Sequence, residues 1–151
     1  LEFRRVLFRS QYRNLAEMNA VLRGVATSVQ HQIENIDGIF SCSDSSVVNP
    51  SQDVATYYNT NLAGLASSTN SATGVYQLPA NYSASISTVN FWDSTNNDFA
   101  TQSTASNCPP VATETQQLVI SVTYSSPSIT FSRSENVIVY QPTRPLDNVA
   151  S

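Results

Sequence analysis

The chain has one histidine, His31, and two cysteines, Cys42 and Cys108, while Asp93 and Asp98 stand five apart in an Asn-rich stretch. A Ser-His-Asp triad needs a base held by an acid, and the single imidazole lies on the polar side of a helical pattern, where a solvated role is commoner. HExxH, CxxC and a glycine-rich phosphate loop are all missing, so zinc and nucleotide chemistry lack their parts. Asp93 and Asp98 could hold Ca²⁺ through oxygen ligands, although an Asx-rich turn is the commoner use of such a cluster. Asn81-Tyr82-Ser83 matches a glycosylation sequon, a frequent chance match. Tyr57, Tyr58 and Trp92, the last following Phe91, are candidate surface-binding aromatics that could stack on sugars; such residues more often close a core or an interface. The sequence therefore predicts no catalytic residue, no metal site and no cofactor.

The cysteines carry an alternative. In an exported chain Cys42 and Cys108 would form a disulfide; in a cytosolic one they would stay free thiols. One follows a helix end and the other precedes the best hairpin, so a bond would tie helix to sheet. The chain-entropy model gives a loop of that size about 4 kcal/mol.

The element that must position everything else is a helix. Leu15, Met18, Leu22, Val25, Val29, Ile33 and Ile36 recur at spacings of 3, 4, 3, 4, 4 and 3, one apolar stripe against a polar back that includes Asn19, Arg23, Ser28, Gln30, His31, Gln32 and Glu34. Residues 15–36 make a rod of about 33 Å. Gly38 is placed to take the left-handed C′ conformation, with Ile39 folding back on Ile33. Residues 41–73 read as a long polar loop holding a weak second helix at 54–65. A short strand is expected at 75–78, ended by Pro79.

Residues 83–92 alternate as a strand, with Ser85, Ser87, Val89 and Phe91 on one face and Ala84, Ile86, Thr88 and Trp92 on the other. A turn follows at 93–98, and Phe99 tucks under the sheet edge. Cys108-Pro109-Pro110 fixes an extended segment. The clearest strand is 117–124, with Leu118, Ile120, Val122 and Tyr124 on one face. After a turn at 125–128, residues 129–140 return with Ile129, Phe131, Val137 and Val139 on one side; their polar middle, 133–136, reads as a bulge or lifted corner. This order predicts an α+β fold in which a long N-terminal amphipathic helix lies on an antiparallel β-sheet.

The chain of 151 residues is long enough for one domain with a core; it lacks lysine and carries a formal charge of −4. Absent basic clusters argue against nucleic acid and anionic lipid. No apolar run reaches the roughly 18 residues that a spanning helix requires. Residues 1–10 back-translate with ordinary codons to a common sequencing-library adapter and are set aside as non-native. The charge without them is −6. The native organisation then reads as an amphipathic helix at 11–40, a β-rich head at 41–141 and a tail at 142–151.

The helix, the following cysteine, Tyr76-x-Leu78-Pro79, the run from Tyr82 to Trp92, Cys108-Pro109, the 117–124 strand, Ser126-Pro127 and a last strand together resemble type IV pilin-like proteins. These are the pseudopilins and prepilin-type cleavage/methylation proteins of the actinobacterial kind. The polar insert at 43–73 departs from that pattern. The resemblance implies a non-catalytic structural subunit, a minor pilin or pseudopilin of a type IV pilus or type II secretion-like filament. It also implies a leader and an apolar helix half upstream of the present chain. Its partners would be other pilin-like subunits, met through that upstream helix, with membrane contact through the same segment alone and no nucleic acid. Its location would be extracytoplasmic, at the cell surface, and the present fragment would be a soluble monomer. The alternative is a secreted adhesion or carbohydrate-binding module using Tyr57, Tyr58 or Trp92.

Overall fold

The computed structural model describes residues 2–36, 39–40, 54–65, 75–101 and 115–142, with the backbone alone at 2–12 and 101. Gly38, Cys42, Cys108, Pro109 and Pro110, most of the 41–73 loop and nearly all of the tail lie outside the described residues, and so does the question of a Cys42–Cys108 bond. Helix α1 runs Glu2–Asn35 and helix α2 Val54–Asn61. The strands are β1 (Tyr82–Asp93), β2 (Asp98–Thr101), β3 (Thr115–Ser125) and β4 (Thr130–Tyr140), in the sheet order β2-β1-β3-β4 with every pair antiparallel. The chain is α+β: α1 lies over β3 and β4, α2 over β1, and both helices cover the same face of the sheet.

Strand β3 is the centre of the core because it is paired on both sides and alternates cleanly. Gln116, Leu118, Ile120 and Val122 are buried under the helices, and the residues between them face outward. The buried stripe of α1 runs from Met18 to Ile33, and Leu15, one turn before it, is exposed.

Strand β1 corrects the expected face assignment. Ile86 stands opposite Ile120, but Thr88 stands opposite Val119, so Ser87 is an extra residue in a β-bulge. Its hydroxyl donates to the Val119 carbonyl at 3.2 Å. The phase slips by one position, and Ala84, Ile86, Val89 and Phe91 all turn to the helix side. Plain alternation had divided them between two faces.

Three further expectations change. Residues 75–78 form no strand; they run extended beside α1, where the Tyr76 N–H is 3.4 Å from the Ser28 hydroxyl rather than in a ladder. Strand β4 carries neither bulge nor corner, because its pairing with β3 is unbroken from Thr130 to Tyr140 and the polar middle simply faces water and the helix rim. Ile129 precedes that strand and is exposed. Phe99 lies in a short strand, β2, not beneath an edge, paired with Trp92 on the outer face. The turn before it forms as expected: Asp93 accepts from the Thr95 N–H (2.9 Å) and the Asn96 amide (2.6 Å), while Asn97 takes a φ of 51°, which asparagine tolerates.

Candidate functional site

Met18, Leu22, Val25, Val29 and Ile33 come together as the buried stripe of α1, as their spacing predicts. Leu15 and Ile36 do not join them; they are 40% and 45% exposed. At about 100° per residue Leu15 falls within the buried arc, so its exposure is axial, while Ile36 stands one residue past the end of α1. The arc is wider than the stripe, because Val21, Ala26 and Gln32 are also buried. A second partner explains the extra width. Residues 63–65, just past α2, and residues 75–76 lie along α1 next to the sheet. Gly64, at φ 85°, turns the chain after α2 and leaves room for Val75 and the Tyr76 carbonyl.

Gln32, placed by its pattern on the polar back, makes that contact. Its amide oxygen accepts from the Ala63 N–H (2.8 Å) and its nitrogen donates to the Ala63 carbonyl (3.0 Å) and to Ser28. A primary amide has the donor–acceptor pair of a peptide unit, so it can stand in for a neighbouring strand. The same device recurs at the sheet. Asn59 of α2 accepts from the Ile86 N–H and donates to the Ile86 carbonyl, both at 2.8 Å, where β1 extends past the short β2 and lacks a neighbour. On the far edge, Gln30 donates to the Ile138 carbonyl (3.3 Å) and Glu34 accepts from the Tyr140 N–H (3.2 Å). These contacts quieten exposed strand edges, which otherwise invite pairing with another chain. Between α1 and β4 an open groove of about 540 Å³ remains, lined by Arg23, Thr27, Gln30, Glu135 and the end of β4. It contains neither an imidazole nor a thiol.

The candidate aromatics separate. Tyr57 and Tyr58 are not at the surface: α2 turns both inward, their rings 5.6 Å apart, and the Tyr58 hydroxyl donates to the buried Gln116 at 2.8 Å. The weak apolar spacing of α2 had concealed this, because two of its four buried residues are tyrosines. Burial pushes the Tyr57 phenol up from its ordinary range. Trp92 does face solvent, edge-on to Phe99 with ring centres 5.2 Å apart. Tyr82, Tyr124 and Phe131 form a second row, across three strands on the helix side, at centroid distances of 5.1 and 5.2 Å. Burial, and then the Glu17 carboxylate, raise the Tyr76 and Tyr82 phenols.

His31 is exposed and its ring lies 3.2 Å from the Asn35 amide. The Asn96 side chain and then the Thr95 N–H hold Asp93 below the usual carboxylate range, so its oxygens are committed to the turn. Among the described residues no group of three His, Cys, Asp or Glu side chains could hold a metal ion, and no helix is long and apolar enough to cross a membrane. Asn81 of the sequon is exposed at a φ of 70°, in the turn that leads into β1.

Comparison with family models, with curated proteins and with solved structures finds no match for this chain.

Proposed function

We propose that the chain is the head of a pilin-like filament subunit, a minor pilin or pseudopilin without catalysis, displayed outside the cell and assembled with related subunits. One observation supports the reading: an amphipathic helix that precedes the strands seats one apolar stripe, Met18 to Ile33, across an antiparallel sheet. A helix held this way transmits position from one end to the other. Residues of the covered stretch fix the head on the helix. In this reading an apolar half upstream supplies the surface for subunit packing, by burial away from water, and contacts the membrane before assembly.

The test is the genomic sequence upstream of Gln11. A short basic leader followed by about 20 apolar residues continuous with α1 is the expected result. An open reading frame that begins without such a run rejects the filament subunit.

A further inference from the structure

We infer that the outer face of the sheet, at its β2 end, is a binding platform for a neutral polysaccharide, a role that stands apart from filament assembly. The face is built by the register. Asn90 stands opposite Gln117, which stands opposite Ile138; one outward step further, Phe99 pairs with Trp92, and Tyr140 pairs with Thr115. Trp92 and Tyr140 therefore occupy the same row, on β1 and β4, with β3 between them. Two strand spacings place them roughly 10 Å apart. They are 37% and 56% exposed, although large aromatic rings in a fold are normally covered.

Three features select the chemistry of the occupant. The rings offer flat apolar faces on which the axial C–H edges of a pyranose can rest, with Phe99 bracing the indole from the side. Between them lie amides: the Asn90 side chain donates to the Gln117 Oε1 at 3.0 Å, which orients the Gln117 Nε2, a donor with no hydrogen-bond partner among the described residues. Finally, every outward position of 88–92, 115–123 and 132–140 is uncharged, and hydroxyls or amides hold most of them. Hydroxyl pairs tile the face further along, Ser121 with Ser134 and Thr123 with Ser132. Anionic glycans, nucleic acid and acidic membranes would find no cation there, and a protein interface would want a more continuous apolar centre. An uncharged, hydroxyl-rich chain that stacks at two points satisfies all three features.

Trp92 is the only tryptophan, so its emission reports directly on the site. The whole chain is titrated with cellotetraose, chitotetraose and mannotetraose and with the disaccharide of each series. The expected result is a saturable change in emission with at least one tetrasaccharide. Its disaccharide should bind at least about tenfold more weakly, because two separated rings cannot both be engaged by so short a chain. Tyr140→Ala and Gln117→Ala, checked for native circular dichroism, should each weaken tetrasaccharide binding about tenfold. Three results overturn the inference: no saturable change with any of the three up to about 10 mM, unaltered affinity in natively folded Tyr140→Ala, or an emission change that follows protein concentration without sugar. The last result would identify the face as a contact between copies of the chain.

Discussion

Gly24 lies inside α1 where the ring of Tyr76 packs against the helix, and a Cβ at that position would come within 2.3 Å of a ring carbon. Two effects oppose each other there. Alanine is favoured over glycine in a helix by about 1 kcal/mol, whereas forcing a packed ring aside costs about 1–3 kcal/mol. Gly24→Ala should therefore lower stability by up to about 2 kcal/mol in urea unfolding, and in a Tyr76→Ala background the same change should raise it. Glycine's role here could not be read from the chain, because the residue that demands it is 52 positions away. Gln32, Asn59 and Gln116 escaped notice for a related reason. Burial is inferred from apolar character, and a buried amide looks like surface until its backbone or side-chain partner is placed beside it. Tyr58, a candidate for stacking at the surface, takes instead the core role such rings more often have, with its hydroxyl pointed at Gln116.

At the scale of elements, the helix and β3 were legible because each obeys one period, whereas β4 was legible only at its apolar end, since its polar middle hid an unbroken ladder. Five of seven stripe residues in α1 are buried, and the two that fail do so at its ends. Strand β1 was only half legible, since Ala84 and Ile86 obey one phase and Val89 and Phe91 the other. The slip was visible in the sequence but has two explanations, a two-sided strand or a bulge, and only pairing with β3 decides between them. Deleting Ser87 tests the explanation. Regular alternation would then bring all four apolar residues to the same face without a bulge, so the deletion should fold with a stability change of about 1 kcal/mol or less. Deleting Ser85 should be far worse, because Ala84 and everything before it would be driven to the opposite side. Circular dichroism and urea unfolding distinguish the two. Strand β2 gave no readable signal: four residues, Asp98-Phe-Ala-Thr101, are too short for a period to emerge.

Across the molecule, stability of the sheet margins is assigned to side chains of the helices. Asn59 covers β1, and Gln30 with Glu34 covers the end of β4 at Ile138 and Tyr140, while Arg133 of β4 donates to Asn19 of α1 at 2.8 Å. Removing the β4 cover by Gln30→Ala with Glu34→Ala should leave the fold in place, because neither residue belongs to the apolar core. It should also make the chain associate at high concentration, through a longer free strand margin. Light scattering against concentration checks this; unchanged monomer size would show that the amide and carboxylate contribute nothing to solubility. No residue type announced this arrangement, because glutamine and glutamate on a helix ordinarily face water.

The single supernumerary serine in β1 has an effect at a distance of five residues. Had the strand kept step from Ile86 onward, the indole would be turned beneath α2 and the phenyl ring of Phe91 would be turned out to the medium. The molecule's visible character on that side, aromatic and hydrogen-bonding instead of oily, thus depends on one hiccup in the backbone. Loss of that serine's codon would keep the same display with the bulge gone, whereas loss of a neighbouring codon such as that of Ser85 would exchange what the strand shows for what it hides on one side of the gap.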